Sequence, residues 1–179
     1  MLKISNDEYL ERFTRLQDRL RSNELDAFVV SAFESIYYLT GAGFEPLERP
    51  FFLVIFPDDP PTLLVPKLDE RHMRKARNLS DDQIQSYREY PAPVGQGWPE
   101  RLHSLVEGKS AIGVEPSLRQ EIASHLPAES VRVVPLIEQL RLVKSPTEIQ
   151  MIQRAARYAD VGVQQLLAAS YNVLETISL

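Results

Sequence analysis

Phe51-Phe52-Leu53-Val54-Ile55-Phe56 is apolar at every one of its six positions. A strand of this composition has no polar face that could be exposed to water, so both of its faces must be covered, as in the centre of a sheet. Asp58-Asp59-Pro60-Pro61 follows as a turn, and Thr62–Val65 returns as the partner strand of a hairpin. The stretch therefore predicts the middle of a buried sheet.

The residues before this stretch predict a helix, a short turn and a buried strand, which is how α/β domains open. Ser5 and Glu8 form a capping-box pattern, and Asn23 is the expected left-handed stop of the helix. The apolar residues between them recur at helical spacing and are Tyr9, Phe13, Leu16 and Leu20. Ala27–Val30 then predicts the strand. The elements expected next are a single helical turn at Ser35–Gly41 and a loop from Gly41 to Pro50.

The residues after the hairpin continue the alternation of strands and helices, which predicts an α/β fold. The expected elements, in order, are a surface helix at 68–78, an edge strand at 84–87, a loop at 91–99, a helix at 99–108, a strand at 110–114, a helix at 116–126, a strand at 131–134 and a helical segment at 136–142.

A strong helix start lies near the carboxyl end of the chain. Ser145-Pro146-Thr147-Glu148 combines a capping serine, a proline at the first helical position and a glutamate that can close a capping box. An apolar stripe of helical period follows, formed by Ile149, Ile152, Ala156, Ala159, Val163, Leu166 and Leu167. A helix of this kind needs a surface to pack on, so we expect Leu179 to mark a truncation rather than a natural end.

The composition excludes several classes of function. The chain has 179 residues, of which 44% are hydrophobic and 25% charged, and none is cysteine. Disulfides, a thiol nucleophile and cysteine-ligated metal sites are therefore excluded. A net charge of -5 argues against nucleic acid as a partner. Acidic residues stand where a signal peptide would be apolar, and no stretch is long enough to span a membrane, so we expect a cytoplasmic protein.

No self-contained catalytic constellation is present in the sequence. The three histidines, His72, His103 and His125, are 31 and 22 residues apart and belong to no metal-binding pattern. Gly41-Ala42-Gly43 and Gly95-Gln96-Gly97 are only half of a dinucleotide-binding fingerprint.

Arg49 is the residue that the sequence singles out. It ends the 41–50 loop just before the most buried strand, where a guanidinium is held firmly and points outward. Such a placement suits the capture of a carboxylate or a carbonyl group. The alternative is a surface arginine that pairs with Glu45 or Glu48. Trp98, the single tryptophan, allows a similar choice between packing at a helix start and anchoring an interface.

The order of motifs along the whole chain resembles the amino-terminal domain of the creatinase/prolidase (Xaa-Pro peptidase) family. The motifs are Leu25-Asp26-Ala27-Phe28-Val29-Val30, Ser35-Ile36-Tyr37-Tyr38-Leu39-Thr40-Gly41, Ile112-Gly113-Val114-Glu115 and Leu140-Arg141-Leu142-Val143-Lys144-Ser145-Pro146-Thr147-Glu148-Ile149. The resemblance implies a mixed, roughly six-stranded sheet flanked by helices over residues 1–143. It also implies that residues 144–179 begin the catalytic domain with its first long helix.

The resemblance also implies how the parent enzyme works. In the family, two Asp, one His and two Glu of the carboxyl-terminal domain hold two divalent metals, commonly Mn, Co or Zn, which activate water to attack the bond before proline. None of those ligand motifs occurs in this chain, so the implied fragment is inactive, has no metal or catalytic residue of its own, and depends on a catalytic domain that is missing.

The amino-terminal domain of relatives contributes a homodimer contact and part of the wall of the cleft that binds the proline-containing peptide. Arg49 matches a substrate-contacting arginine, and Leu47 matches an apolar neighbour. The segment between Gly41 and Arg49 fits no particular subfamily, so the substrate stays open. The alternatives are the amino-terminal domain of a creatinase-type amidinohydrolase and a metal-free peptidase-like module that binds proteins, as in histone chaperones.

Overall fold

The computed structural model describes residues 3–45, 48–127 and 129–177. Six strands form one sheet in the order β4-β3-β2-β1-β5-β6. The strands are β1 (Ala27–Val30), β2 (Phe52–Ile55), β3 (Thr62–Pro66), β4 (Ile84–Tyr87), β5 (Ala111–Val114) and β6 (Ser130–Val133). Five of them run in one direction, and only β2 runs antiparallel to both of its neighbours. The mixed six-stranded sheet predicted from the sequence is confirmed.

Helices cover both faces of this sheet. They are α1 (Asn6–Ser22), α2 (Phe33–Thr40), α3 (Glu70–Met73), α4 (Trp98–Val106), α5 (Gln120–Ala123) and α6 (Leu136–Leu142), and a 3-10 turn at Asp81–Gln83 precedes β4. The strand side chains alternate between two separate cores. Phe28 and Leu53 belong to the core that contains residues of α1, α2, α3 and α6. Val29 and Val54 belong to the core under α4 and α5.

The two central strands have no exposed residue, as the apolar stretch predicts. All four residues of β1 and all four of β2 are buried. Burial of a Val, Leu, Ile or Phe side chain contributes about 1.5–3 kcal/mol each, so these two strands contribute strongly to the stability of the sheet. Packing is tight at β5 as well, since a Cβ added at Gly113 would lie 2.7 Å from side-chain atoms of Leu25 and Phe28.

Three predictions about helices need correction. The helix around Ser35 is longer than a single turn and covers eight residues, Phe33–Thr40. The helices predicted at 68–78 and 116–126 shrink to four residues each, Glu70–Met73 and Gln120–Ala123. The chain after each of them continues in tighter turns, where backbone N–H groups bond to the carbonyl three residues back, as from Ala76 to Met73 and from Leu126 to Ala123.

The start of α1 follows the sequence, while its end differs by one residue. The Ser5 side chain accepts the N–H of Glu8 at 3.1 Å, which caps the helix. Asn23 keeps a negative φ, and the left-handed residue is Glu24, with a φ of 53°. Asn23 instead bonds through its side-chain nitrogen to the carbonyl of Arg19 at 2.8 Å.

Ser5–Leu142 forms one compact unit, and a second unit contains the long helix α7 (Pro146–Ile177). The capping box at the start of α7 is complete, because Ser145 Oγ accepts the N–H of Glu148 and Glu148 Oε2 accepts the N–H of Ser145. Among the residues that the structure describes, no helix combines the length and the apolar character needed to cross a membrane.

Candidate functional site at the carboxyl ends of the strands

Several charged residues of the domain gather at one edge of the sheet. Because β1, β3, β4, β5 and β6 are parallel, their carboxyl ends meet at this edge, together with the start of the antiparallel β2. Ligands of open α/β sheets bind at this kind of edge. The charged residues that follow or precede a strand at this edge are Arg49, Lys67, Asp69, Glu70, Arg88, Glu89 and Glu115.

Arg49 stands in the middle of three carboxylates. Its Nη1 lies 3.7 Å from Glu89 Oε1 and 3.9 Å from Asp69 Oδ2, and its Nε lies 3.9 Å from Glu48 Oε1. These separations are ion pairs but are longer than hydrogen bonds. The three carboxylates therefore balance the positive charge of the guanidinium and orient it. Because they are not at hydrogen-bond distance, its N–H groups can still donate to another acceptor. Its side chain is 27% exposed.

The carboxylate of Glu89 is itself held in place. Its Oε1 atom, which faces Arg49, also accepts the backbone N–H of Leu68 at 3.1 Å. This bond joins the residues that follow β3 to those that follow β4, the two parallel strands at one side of the sheet. Arg49 therefore meets a carboxylate whose position is set by backbone structure.

The loop of residues 41–50 is fastened at three described points. His72 donates from Nε2 to the carbonyl of Gly43 at 2.7 Å, which requires the proton on that nitrogen. The ring of Phe44 stacks on that of Phe51 with centroids 3.9 Å apart. The hydroxyl of Tyr87 donates to the carbonyl of Pro50 at 2.9 Å, directly beside Arg49.

The environment of Tyr87 reflects this arrangement of charges. Burial raises the pKa of Tyr87 well above its ordinary value, and the negative charge of Glu89 raises it further, whereas Arg49 lowers it. The hydroxyl is therefore protonated at neutral pH and donates to the carbonyl of Pro50.

Arg49 lines three clefts at the edge, two of which have aromatic residues in their walls. One, of about 270 Å³, runs past Phe44 and Phe51 to the start of α2 at Ser31–Phe33 and to Arg119. The other, of about 450 Å³, is bounded by Tyr90, Trp98 and prolines such as Pro91. Trp98 packs against Phe52 with ring centroids 5.5 Å apart, so it combines core packing at the helix start with one wall of this cleft.

The sequence-based candidates divide as follows. Arg49 lies at the edge, with Glu48 beside it as one of the two predicted pairings, while the substrate-contact role stays a prediction. Leu47 lies outside the described residues. Asp69, Tyr87 and Glu89 were missed, although each lies within four residues of the carboxyl end of a predicted strand.

A metal pair does not fit the residues described. Within 3–45, 48–127 and 129–177, no group of three or more His, Asp or Glu side chains could hold a metal ion, and the chain has no Cys. The edge around Arg49 therefore offers binding and positioning groups rather than a set of metal ligands.

A family profile described as the creatinase/prolidase N-terminal domain matches residues 12–143. The chain belongs to the creatinase/prolidase N-terminal domain family. Its residues 25–30, 35–41 and 112–115, singled out by their motifs, contribute to β1, α2 and β5 of that domain. The resemblance noted from the sequence is confirmed.

Known relatives agree with this assignment. The Xaa-Pro dipeptidase of Pyrococcus horikoshii is 24% identical over 158 residues, which are 86% of this chain and 40% of the relative. The crystal structure of the prolidase from Pyrococcus horikoshii OT3 superposes with a TM-score of 0.68 at 23% identity, over 86% of this chain and 41% of that one. The chain spans 40–45% of the length of the curated relatives it matches.

A second solved structure corresponds to this domain almost alone. A proline dipeptidase from Streptococcus pneumoniae TIGR4 superposes with a TM-score of 0.61 at 26% identity. The match covers 74% of this chain and 98% of that one. The same sheet and helices are thus found as a separate folded unit of the size of Ser5–Leu142.

Replacement of Arg49 and of Arg12 by alanine should separate a surface arginine at the edge from a structural one. Arg12 is 6% exposed and donates to the carbonyl of Tyr38 at 2.6 Å and to Glu8 Oε1 at 2.8 Å. Its loss breaks a largely buried ion pair with Glu8, so Arg12→Ala should lower the free energy of unfolding by about 3–5 kcal/mol. Arg49→Ala should lower it by less than about 1 kcal/mol.

Urea denaturation of the two variants beside the wild type measures the difference. Equal losses of stability in Arg49→Ala and Arg12→Ala would show that Arg49 is a structural residue rather than one held available at the edge.

Proposed function

We propose that this chain is the non-catalytic amino-terminal domain of a metal-dependent Xaa-Pro dipeptidase or aminopeptidase. In this proposal residues 1–143 form the domain, residues 144–179 begin the catalytic domain, and two divalent metals (Mn, Co or Zn) are bound further along the parent chain. The observation that carries the proposal is the membership in the creatinase/prolidase N-terminal domain family, together with relatives that are more than twice as long.

The role proposed for the domain is to form part of the wall of the cleft that binds a proline-containing peptide. Arg49 supports this role because it ends a loop with three anchors, lines three clefts and meets its described carboxylate neighbours only at ion-pair distances of 3.7–3.9 Å. An arginine in this state can donate to a carbonyl or carboxylate of the substrate. Leu47 is proposed as its apolar neighbour at the same contact.

The test uses the protein translated from the complete reading frame. Arg49→Ala should lower kcat/KM for Ala-Pro about 10- to 100-fold, the range expected for a lost hydrogen bond to a charged group. Arg101→Ala is the control, since it removes an exposed arginine from α4 and should leave kcat/KM unchanged. Creatine is assayed in parallel, and turnover of creatine without turnover of Ala-Pro would assign the chain to a creatinase-type amidinohydrolase instead.

An unchanged kcat/KM in Arg49→Ala would contradict the contact between Arg49 and the substrate. That result would not bear on the family membership or on the hydrolysis of Ala-Pro by the complete protein. The contact of Arg49 with the substrate and the peptidase activity are therefore tested separately.

Dimerisation is proposed as the second role, and α7 supplies an apolar surface for it. Five large apolar residues of the stripe on this helix are between 46% and 70% exposed, namely Ile149, Ile152, Val163, Leu166 and Leu167. An apolar face of this length is unfavourable in water. We propose that in this chain it packs on a second copy of itself.

Sedimentation velocity tests the pairing. The wild-type chain should sediment as a dimer, and Leu166→Lys should shift it to the monomer because a charge then lies in the apolar stripe. Gln165→Lys adds the same charge on the opposite side of the helix and should leave the dimer intact. A wild-type chain that is monomeric at all concentrations would contradict the proposal.

A further inference from the structure

The chain leaves two neighbouring parallel strands, β1 and β5, towards opposite faces of the sheet. β1 is followed by α2, whose Ile36 and Leu39 belong to the core on one face. β5 is followed by the short helix α5, whose Ile122 belongs to the core on the other face. Connections that diverge in this way leave a crevice between them at the carboxyl ends of the two strands. In open α/β sheets, ligands bind in such a crevice.

The cleft of about 270 Å³ lies in this crevice. Residues 31–34, which follow β1, line it together with Arg119 and Ile122, which follow β5. Phe44 and Phe51 line it from the side of β2. Three separate parts of the chain therefore face one small space, whose volume suits a ligand smaller than a drug-sized molecule.

Hydrogen bonds fix the backbone on both sides of the cleft. Glu115 is 1% exposed, and its Oε1 accepts the backbone N–H of Ser31 at 2.6 Å and that of Ala32 at 2.5 Å. This carboxylate joins the segment after β5 to the segment after β1. The carbonyl of Arg119 accepts the N–H of Ile122 at 3.0 Å. Because Glu115 already occupies the N–H groups of Ser31 and Ala32, those two donors are not available to an anionic ligand.

Two side chains of opposite charge in the lining are not paired with each other. Arg119 and Glu34 both line the cleft and are both exposed. Within the part of the chain that the structure describes, neither side chain forms an ion pair or a hydrogen bond. The cleft therefore offers one guanidinium and one carboxylate to a ligand, besides Arg49, whose described carboxylate neighbours lie at 3.7–3.9 Å.

An aromatic wall completes the cleft. The ring of Phe44 stacks on that of Phe51 with centroids 3.9 Å apart, and the ring of Phe33 meets that of Phe44 edge to face at 5.3 Å. All three residues line the cleft. A continuous row of rings favours an apolar group of the ligand, and an aromatic group can add an offset or edge-to-face contact.

We propose that this cleft binds a small zwitterion with an apolar side chain, either a free amino acid or a dipeptide. Arg119, together with Arg49, donates to the carboxylate of the ligand, and Glu34 accepts from its ammonium group. The apolar side chain packs on Phe33 and Phe44.

The same charges disfavour phosphate as the ligand. A phosphate dianion in this cleft would lie beside the carboxylate of Glu34, and Arg49 already has three carboxylates around it. Like charges in one small site repel each other. A ligand that carries one negative and one positive group meets an opposite charge at each end.

Isothermal titration of the 179-residue chain with L-phenylalanine tests the inference, which concerns the domain itself and does not depend on the proposed peptidase function. We expect a Kd of about 1 mM, which is ordinary for a ligand of this size. N-acetyl-L-phenylalanine lacks the ammonium group and L-phenylalaninamide lacks the carboxylate, so each should bind about 10-fold more weakly or worse. Ala-Phe keeps both charges and distinguishes the two sources, because tighter binding of Ala-Phe than of phenylalanine identifies a dipeptide and the reverse order identifies a single amino acid.

Variants locate the site. Arg119→Ala and Glu34→Gln should each raise the Kd for L-phenylalanine about 10-fold or more. Arg101→Ala and Glu107→Gln make the same changes of charge at exposed positions of α4 and just after it, and should leave the Kd unchanged. All four replaced side chains are exposed, and circular dichroism verifies that each variant is folded.

Three results would overturn the inference. The first is the absence of saturable binding of L-phenylalanine to the wild-type chain. The second is an unchanged Kd in Arg119→Ala or Glu34→Gln. The third is a ligand-induced change of backbone amide NMR signals that spares residues 31–34 and 117–122, since binding would then occur elsewhere on the domain.

Discussion

The burial of β1 and β2 on both faces is the constraint on which the rest of this structure depends. Neither strand has an exposed residue, so the chain must supply a layer of helices to each face. The side chains of these strands are thereby committed to the two cores. Polar chemistry is left with the ends of the strands, and the parallel arrangement brings five carboxyl ends to one edge.

The same constraint explains why an arginine on a loop can be held in a defined place. Pro50 and Phe51 lead directly into β2, so the end of the 41–50 loop moves only as far as the central strand allows. Phe44 stacks on Phe51, and Tyr87 bonds to Pro50. Arg49 thus takes its position from the core, while Asp69 and Glu89, which follow β3 and β4, orient its charge. A rigid sheet with loop residues at one edge suits a domain that shapes a cleft without performing chemistry.

Much of the fold could be predicted from local sequence, because local physics determines it. The burial of Phe51–Phe56 can be predicted from its apolar composition alone, and the residues of the capping box at Ser145 lie within one turn of each other. The short helices at α3 and α5 could not be predicted, since an amphipathic pattern is the same whether the backbone continues as α-helix or as tighter turns.

The site was predictable only at Arg49. Its partners Asp69 and Glu89 are 20 and 40 residues away in sequence and meet it only because β3 and β4 are neighbours in the sheet. Glu115 lies within a recognised motif, yet its contact with Ser31 spans 84 residues and is visible only in three dimensions. Pairing between distant strands is the information that a single sequence lacks.

We propose that this chain shapes a site whose chemistry is carried elsewhere in its parent protein. Hydrolysis of Ala-Pro in the presence of Mn²⁺ tests the claim most directly, measured for this 179-residue chain and for the product of the complete reading frame. We predict no turnover by the chain alone and metal-dependent turnover by the complete product. Metal-dependent hydrolysis by the chain alone, or a reading frame that ends at Leu179, would contradict it.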